Sequence, residues 1–407
     1  MVAVAVSGGR DSMALLHCTA RSAKALGIQP IALHVHHGLM PQADGWAEQL
    51  QAICRRWKIG FAMQRLASKP AKGDSIEAWA RTQRYAALTA MAEACGAGLV
   101  LLAHHQRDQA ETFVLQALRG GGPAGLAAMP QRALRHGIVW ARPWLAMPRE
   151  TIEAYARRHR IIGVDDPSNA DPRFARSRLR AAAMPALRAA FPDADAALAS
   201  AAARSAQAQA VLDEMAQLDL TGAAEGNSLR IAAWSLLSPA RRANLLRHWL
   251  RLQADRGAPE SLVTRLLDEL SRSGEGCWPF GEKTLRRHRG RLQLGPEAPV
   301  GSHDDLQARG QAGLQITPIA QGGVAAADLQ GAEWRQRLGG ERFQRQAGTP
   351  ARSLKKQFQD ADVPAWLRDV PLLYAADGRL LYVPGLGIDA RALAAPGQPQ
   401  CVLTWRA

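Results

Sequence analysis

Short, largely apolar runs alternate with longer helical patterns through the first half of the chain. Val2 to Val6, Ile31 to Val35 and Leu99 to Ala103 are rich in Val, Ile and Leu and have strand length, which predicts buried strands. Phe61 to Arg65 and Ile161 to Val164 are weaker strand candidates. Between these runs, Ser12 to Leu26, Asp44 to Trp57, Ser75 to Cys95 and Arg107 to Leu118 have the length and composition of helices. Repeated β-α-β units with right-handed crossovers predict an α/β fold: a Rossmann-like parallel sheet with helices on both faces.

The pattern then changes. From Pro185 to Leu218 the chain is Ala-rich and suits a long connecting helix. Leu220 to Leu294 reads as a small, mostly helical domain, with Arg247, Trp249, Leu262, Leu266 and Leu270 at helix-like spacings. The stretch PEAPVGSHDDLQARGQAGLQ, from Pro296, mixes Pro, Gly and polar residues as a linker does. A last unit, from Trp334 to Ala407, has its own aromatic residues and alternating runs such as RLLYV, which predicts a small α+β domain. The expected boundaries are 1–188 for the α/β domain, 189–218 for the linker helix, 219–298 for the helical domain, 299–331 for a linker and 332–407 for the C-terminal domain. There is no internal repeat.

Composition adds limits. At 407 residues the chain is long enough for two or three domains, and 47% hydrophobic with 21% charged residues is ordinary for folded proteins. No apolar run reaches membrane-spanning length and no signal-peptide pattern precedes the first strand, so a cytoplasmic protein without membrane contact is expected. Five scattered cysteines form no CxxC pair, which points to free thiols. The net charge of +15 suits a polyanionic partner. Only seven of the 51 basic residues are Lys, however, and an Arg- and Ala-rich composition produces such a charge by itself.

Candidate chemistry sits where loops leave the strands, because ligands of open parallel sheets bind beyond the strands' carboxyl ends. After Val6 comes SGGRDS, residues 7 to 12. Gly8 and Gly9 allow close backbone approach, and the following helix N-terminus favours an anion. The loop lacks the lysine and the spacing of a Walker A motif, and a plain tight turn capped by Asp11 or Ser12 is the simpler alternative. The second loop, HVHHGLMPQAD, offers His34, His36 and His37, with no matching ligand set that would make a metal site. The third, AHHQRDQAET, places Asp108 and Glu111 three apart on one helix face with Thr112 beside them. Carboxylates there also serve simply as helix-dipole partners. All three loops are expected at one sheet edge.

With these residues in view, the chain resembles the N-type ATP pyrophosphatases, which have SGGxDS after the first strand, and more closely the bacterial tRNA(Ile)-lysidine synthetases. Six pieces stand in family order: SGGRDS, HVHHGL, SIEAWARTQRYAAL, AHHQRDQAETFVLQALRGGGPAGLAAM, RPWL and DDPSNADPRFARSRLR. LKKQFQDADVPAWLRDVPLLY followed by GRLLYVPGLGID extends the likeness into the C-terminal unit.

The resemblance implies a two-step reaction on the wobble cytidine of a tRNA(Ile) with a CAU anticodon. The C2 oxygen attacks the α-phosphate of ATP and pyrophosphate leaves; the ε-amine of free L-lysine then attacks C2 and expels AMP. It also implies roles. Ser7, Gly8, Gly9, Arg10 and Ser12 would hold ATP and the leaving pyrophosphate, and Asp11 would position Mg²⁺ or the phosphates. The loop from His34 through His36 to Gly38 would hold adenine. Asp108 and Glu111 would bind the lysine, one of them accepting a proton, and His104 and His105 would shape the site floor.

Three departures stand out. Arg107 precedes Asp108 where members often have two aspartates, Arg176-Ser177 replaces a frequent Arg-Asn pair, and the chain starts at its first strand where many relatives have a lead segment, as a shortened gene would.

Three basic clusters are candidates for tRNA phosphates. The first includes Arg176, Arg178 and Arg180, within an acid-free stretch of five arginines from Arg173 to Arg188. The second comprises Lys283, Arg286, Arg287, Arg289 and Arg291, and the third runs from Arg335 to Lys355 and Lys356. Trp334, Trp366 and Tyr374 are expected in a core rather than stacked on bases. Monomer and homodimer remain open. A tRNA 2-thiocytidine synthetase is the nearest rival reading, but the CxxC cysteines usual for sulfur delivery are missing. A non-catalytic RNA-binding relative is another, hinted at by Arg107 alone, since SGGRDS, Asp108 and Glu111 remain.

Overall fold

The computed structural model describes residues 1–36, 43–66, 76–164, 174–253, 257–272, 274, 276–281, 283–295, 313–361, 363, 368 and 370–405. The chain forms two units, Met1–Glu214 and Met215–Ala407.

The first unit follows the order β1 (Val2–Ala5), α1 (Arg10–Leu26), β2 (Pro30–His36), α2 (Ala43–Trp57), β3 (Gly60–Arg65), α3 (Ile76–Ala94), β4 (Leu99–Leu101), α4 (Gln106–Leu118) and α5 (Pro123–Leu126). It continues with β5 (Arg132–Arg135), β6 (Ile138–Ala141), α6 (Arg149–Arg158), α7 (Ala175–Arg178), a π turn (Leu179–Ala183), α8 (Met184–Ala190) and α9 (Ala194–Ala223), whose last residues enter the second unit.

The sheet has the order β3-β2-β1-β4-β6-β5. Val4 stands between Ala32 and Leu101 in parallel register, and alternate residues of β1 serve opposite faces. Val4 and Val6 pack with Leu15 and Leu16 of α1, Leu50 and Cys54 of α2 and Ile152 of α6. Ala3 packs with Leu33, Val35 and the α3 residues Leu88 and Met91. The expected Rossmann-like sheet with both faces covered is therefore present, and burial of these apolar rows drives its assembly.

Two details differ from expectation. Ile161 to Val164 lies outside the sheet without regular secondary structure: the Val164 N–H donates to the Gly8 carbonyl at 2.9 Å instead of joining a ladder. The edge is made by β6 and by β5, which is antiparallel to it. His136 and Gly137, with φ of 50° and 72°, form the two-residue turn between them. The helix expected over Pro185 to Leu218 is interrupted. Pro192 has no N–H to donate, so α8 stops at Ala190 and α9 begins at Ala194.

In the second unit, α10 (Ile231–Ser235), α11 (Pro239–Gln253) and α12 (Glu260–Glu269) are the expected helices. An unanticipated antiparallel sheet accompanies them: β7 (Ala224–Glu225), β8 (Ser228–Arg230), β9 (Gly276–Phe280), β10 (Lys283–His288) and β11 (Arg291–Gly295), in the order β7-β8-β11-β10-β9. Trp234, Trp249, Trp278, Leu285 and Leu292 fill its core.

The C-terminal part has β12 (Leu314–Ile319), β13 (Val324–Ala325), β14 (Glu333–Arg335), β15 (Arg342–Phe343), β16 (Arg352–Ser353), α13 (Leu354–Asp360), β17 (Leu372–Tyr374), β18 (Leu380–Val383), β19 (Gly387–Ile388) and β20 (Gln400–Trp405). Trp334 is buried, with its ring 5.4 Å from that of Trp405. Trp366 lies outside the described residues. Among the described residues no helix is long and apolar enough to cross a membrane.

Candidate active site

The chain passes from β1 outward to β2 and β3, then returns to lay β4 on the other side of β1. The loops leaving β1 and β4 therefore diverge at a topological switch point, where an open α/β sheet forms its ligand crevice.

The loop after β1 is SGGRDS. Gly8 has φ +91°, a region that disfavours side chains, and Gly9 is extended and caps α1. The Ser12 hydroxyl donates to the Gly9 carbonyl at 2.8 Å and accepts the Ser7 N–H at 3.2 Å, so Ser7 and Ser12 close the loop on itself. Neither serine caps the helix, which leaves the first-turn N–H groups of α1 without side-chain partners, as an anion cradle requires. Gly163 supports the loop from behind: a Cβ there would lie 2.3 Å from the Arg10 nitrogen. Arg10 itself has an exposed side chain.

His105 joins this loop to the one after β4. It precedes the first turn of α4, and its N–H donates to the Asp108 carboxylate at 3.1 Å. Its Nε2 lies 3.5 Å from Asp11 Oδ2 and 3.4 Å from Asp108 Oδ2. Arg149, opening α6, brings its Nε within 3.7 Å of the same Asp11 oxygen. Burial pushes the Asp11 carboxyl up, but His105, Arg149 and Arg10 outweigh it and hold the group below the usual aspartate range. Asp11 is thus an anion at neutral pH.

Glu111 is fully buried and Asp108 is 7% exposed. Arg180, on the π turn, donates to both: Nε to Glu111 at 2.7 Å and Nη2 to Asp108 at 2.8 Å. Arg176 donates to the Thr112 hydroxyl at 2.6 Å and stands 3.8 Å from Glu111. Ala110 packs against Leu179 and Met184, which holds the segment carrying these arginines beside α4. The arginines expected on RNA phosphates are here the counter-ions of the carboxylates expected on lysine. Arg178 is exposed and Ser177 is buried.

The histidines differ in role. Burial, helped by Arg142, Arg84 and Arg176 and opposed by Asp108, lowers His104 to about 3. Its neutral Nδ1 accepts a hydrogen bond from Arg142 Nε at 3.2 Å. His34 is buried and donates from Nδ1 to the Val6 carbonyl at 2.9 Å, tying β2 to the start of the glycine loop. Burial, opposed by that bond, lowers its pKa as well. His36 is buried with Nε2 3.2 Å from Asp44. His37 and Gly38, and the DDPSN stretch, lie outside the described residues.

Arg107 points away from this centre, to Glu150 at 2.8 Å and Asp195 at 3.4 Å. In the second unit, Arg287 donates to the Leu270 and Arg272 carbonyls at the end of α12, Arg286 is half-buried, and Lys355 and Lys356 are exposed on the first turn of α13.

No cluster of three or more His, Cys, Asp or Glu among the described residues is arranged to hold a metal ion by itself. Asp11 Oδ1 is nevertheless buried without a hydrogen-bond partner. One free carboxylate oxygen fits Mg²⁺, which takes one or two protein carboxylates and completes its shell with phosphates and water. Sequence reasoning missed Arg149, Gly163 and the pairing of Arg180. Gly163, in an otherwise apolar IIGV run, was the one visible signal.

These features define a class first: residues 1–187 match the family model of the PP-loop domain. Residues 229–293 match the TilS substrate binding domain and residues 332–405 the TilS substrate C-terminal domain. A tRNA(Ile)-lysidine synthase of Ralstonia nicotianae is 39% identical over 421 residues, covering 97% of this chain and 90% of that protein. Those of Alkalilimnicola ehrlichii and Burkholderia pseudomallei are each 37% identical, covering 97% and 95% of this chain and 91% and 89% of theirs. The chain belongs to the tRNA(Ile)-lysidine synthase family.

Proposed function

We infer that the protein ligates free L-lysine to C2 of the wobble cytidine of a CAU-anticodon tRNA(Ile), using ATP and releasing AMP and pyrophosphate. The observation that carries this reading is the bridge through His105. It brings an anion-binding glycine loop within one imidazole of a helix presenting two buried carboxylates. An adenylation site and an amine site are thereby neighbours.

In the first step the cytidine C2 oxygen attacks the α-phosphate. Ser7, Gly8, Gly9, Arg10 and Ser12 hold the β- and γ-phosphates as pyrophosphate departs, through the loop's hydroxyls and the N–H groups at the start of α1. Asp11 Oδ1 is the atom that would hold Mg²⁺, which, when bound, neutralises phosphate charge. His34 and His36 support the adenine side by fixing β2. In the second step Asp108 and Glu111 receive the lysine ammonium, whose charge matches the guanidinium they hold now. One of the two carboxylates accepts the proton that the amine loses as it attacks C2 and expels AMP.

The domains act as 1–188 for catalysis, 189–218 as linker helix, and 219–298 and 332–407 for tRNA; within the expected 299–331 linker, β12 and β13 pair with β20 and so belong to the C-terminal domain. Arg178, Arg286, Lys355 and Lys356 supply phosphate contacts, whereas Arg176 and Arg180 face Thr112, Asp108 and Glu111 and Arg287 is held by backbone carbonyls, and the reaction takes place in the cytoplasm. The test offers purified protein ATP, labelled lysine and CAU-anticodon tRNA(Ile). Lysine enters the tRNA on this reading; no incorporation while adenylated tRNA accumulates, or sulfur transfer in its place, overturns it.

A further inference from the structure

We propose that Arg107 is a positioning residue, a clamp that sets the helix bearing Asp108 and Glu111 against the two other elements that bring charge into the site. The proposal rests on the lysine-ligating reading above.

Successive residues of a helix point about 100° apart, so Arg107 leaves α4 on a different side from Asp108. Its Nη2 donates to Glu150 at 2.8 Å, in the first turn of α6, and its Nε lies 3.4 Å from Asp195 in the first turn of α9. Each contact leads back to the centre. Glu150 adjoins Arg149, which approaches Asp11 to 3.7 Å. Asp195 is also gripped by Arg188 of α8 through bonds of 2.9 and 3.1 Å, and α8 continues the π turn that aims Arg180 at Asp108 and Glu111.

The two arms differ in kind. Glu150 is 69% exposed and its pair is screened by water, whereas Asp195 is 19% exposed and shared by two arginines. The Glu150 arm is the hydrogen-bonded one, and the Asp195 arm is a less exposed ion pair that leads to the lysine side. An aspartate at 107 would face both Glu150 and Asp195 with a like charge, whereas Arg107 is opposite in sign to both.

The experiment compares the full-length wild type with Arg107→Ala, Arg107→Lys, Arg107→Asp, Asp195→Asn and the Arg107→Ala/Asp195→Asn double variant. It measures KM for lysine, kcat, pyrophosphate release without lysine, and the melting temperature. Arg107→Ala should raise KM for lysine about 3- to 10-fold, since small misplacements of a binding group are felt at the reacting atoms, while pyrophosphate release changes less. Arg107→Lys should recover most of the loss and Arg107→Asp should exceed it. Asp195→Asn should reproduce it without adding to it in the double variant. Wild-type KM for lysine in Arg107→Ala and Arg107→Asp, with the wild type active, overturns the clamp and leaves the ligase reading standing. Equal losses in both half-reactions that track a lowered melting temperature also overturn it, since they mark a merely structural residue. A wild type that incorporates no lysine overturns the ligase reading and the clamp together.

Discussion

Single atoms decide most of what this site can do. Gly163 is the sharpest case, because any side chain there meets the backbone of Arg10 rather than a flexible neighbour. Gly163→Ala should push the glycine loop out of place and slow tRNA-dependent pyrophosphate release by about 10- to 100-fold. An unchanged rate would mean that the loop does not hold the phosphates. Asp11, Asp108 and Glu111 were legible in the sequence because carboxylates after strand ends are conspicuous. The partner of Arg180 was not: a basic run shows charge, not what the charge faces, and Glu111 lies 69 positions away. His34 looked like a ligand-side residue, and its bond to Val6 depends on two strands lying side by side.

Helices and strands were read unevenly, for physical reasons. Helices α1 to α4 have enough turns to display their period, and β1, β2 and β4 are buried on both faces. The β5-β6 hairpin has four residues per strand, and β5 (RALR) begins and ends on exposed arginines, so it hides among charged loops. The sheet of the second unit hides likewise, since only Leu285 is buried in KTLRRH. Strand β6 is nonetheless part of the core. Trp140 is 1% exposed, and its ring lies 5.1 Å from that of Tyr85 in a tilted contact. Trp140→Ala should destabilise the first unit by about 3–5 kcal/mol, read from chemical denaturation of the full chain. A loss below about 1 kcal/mol would remove β6 from the core.

Across the whole molecule, +15 of net charge is spread over both units, and three clusters of basic residues lie in separate parts of the chain. Counterion release makes such binding salt-dependent. The tRNA dissociation constant should rise at least about 10-fold between 50 and 200 mM salt, by titration of labelled tRNA; a flat response would leave the charge without an RNA role. Composition could suggest a polyanion, but only the ordered motifs and the family relationship specify which.

On the proposed reading, the carboxyl ends of β1 and β4 carry two half-reactions on adjacent groups, with the loop after β1 serving ATP and the head of α4 serving lysine. The most direct test is a Glu111→Gln variant, followed simultaneously for pyrophosphate release and for lysine incorporation into tRNA(Ile). Lysine incorporation should fall by about 100-fold or more while pyrophosphate release stays within a few-fold of wild type and adenylated tRNA accumulates. Equal loss of both half-reactions would contradict the division of labour and place Glu111 elsewhere in the chemistry.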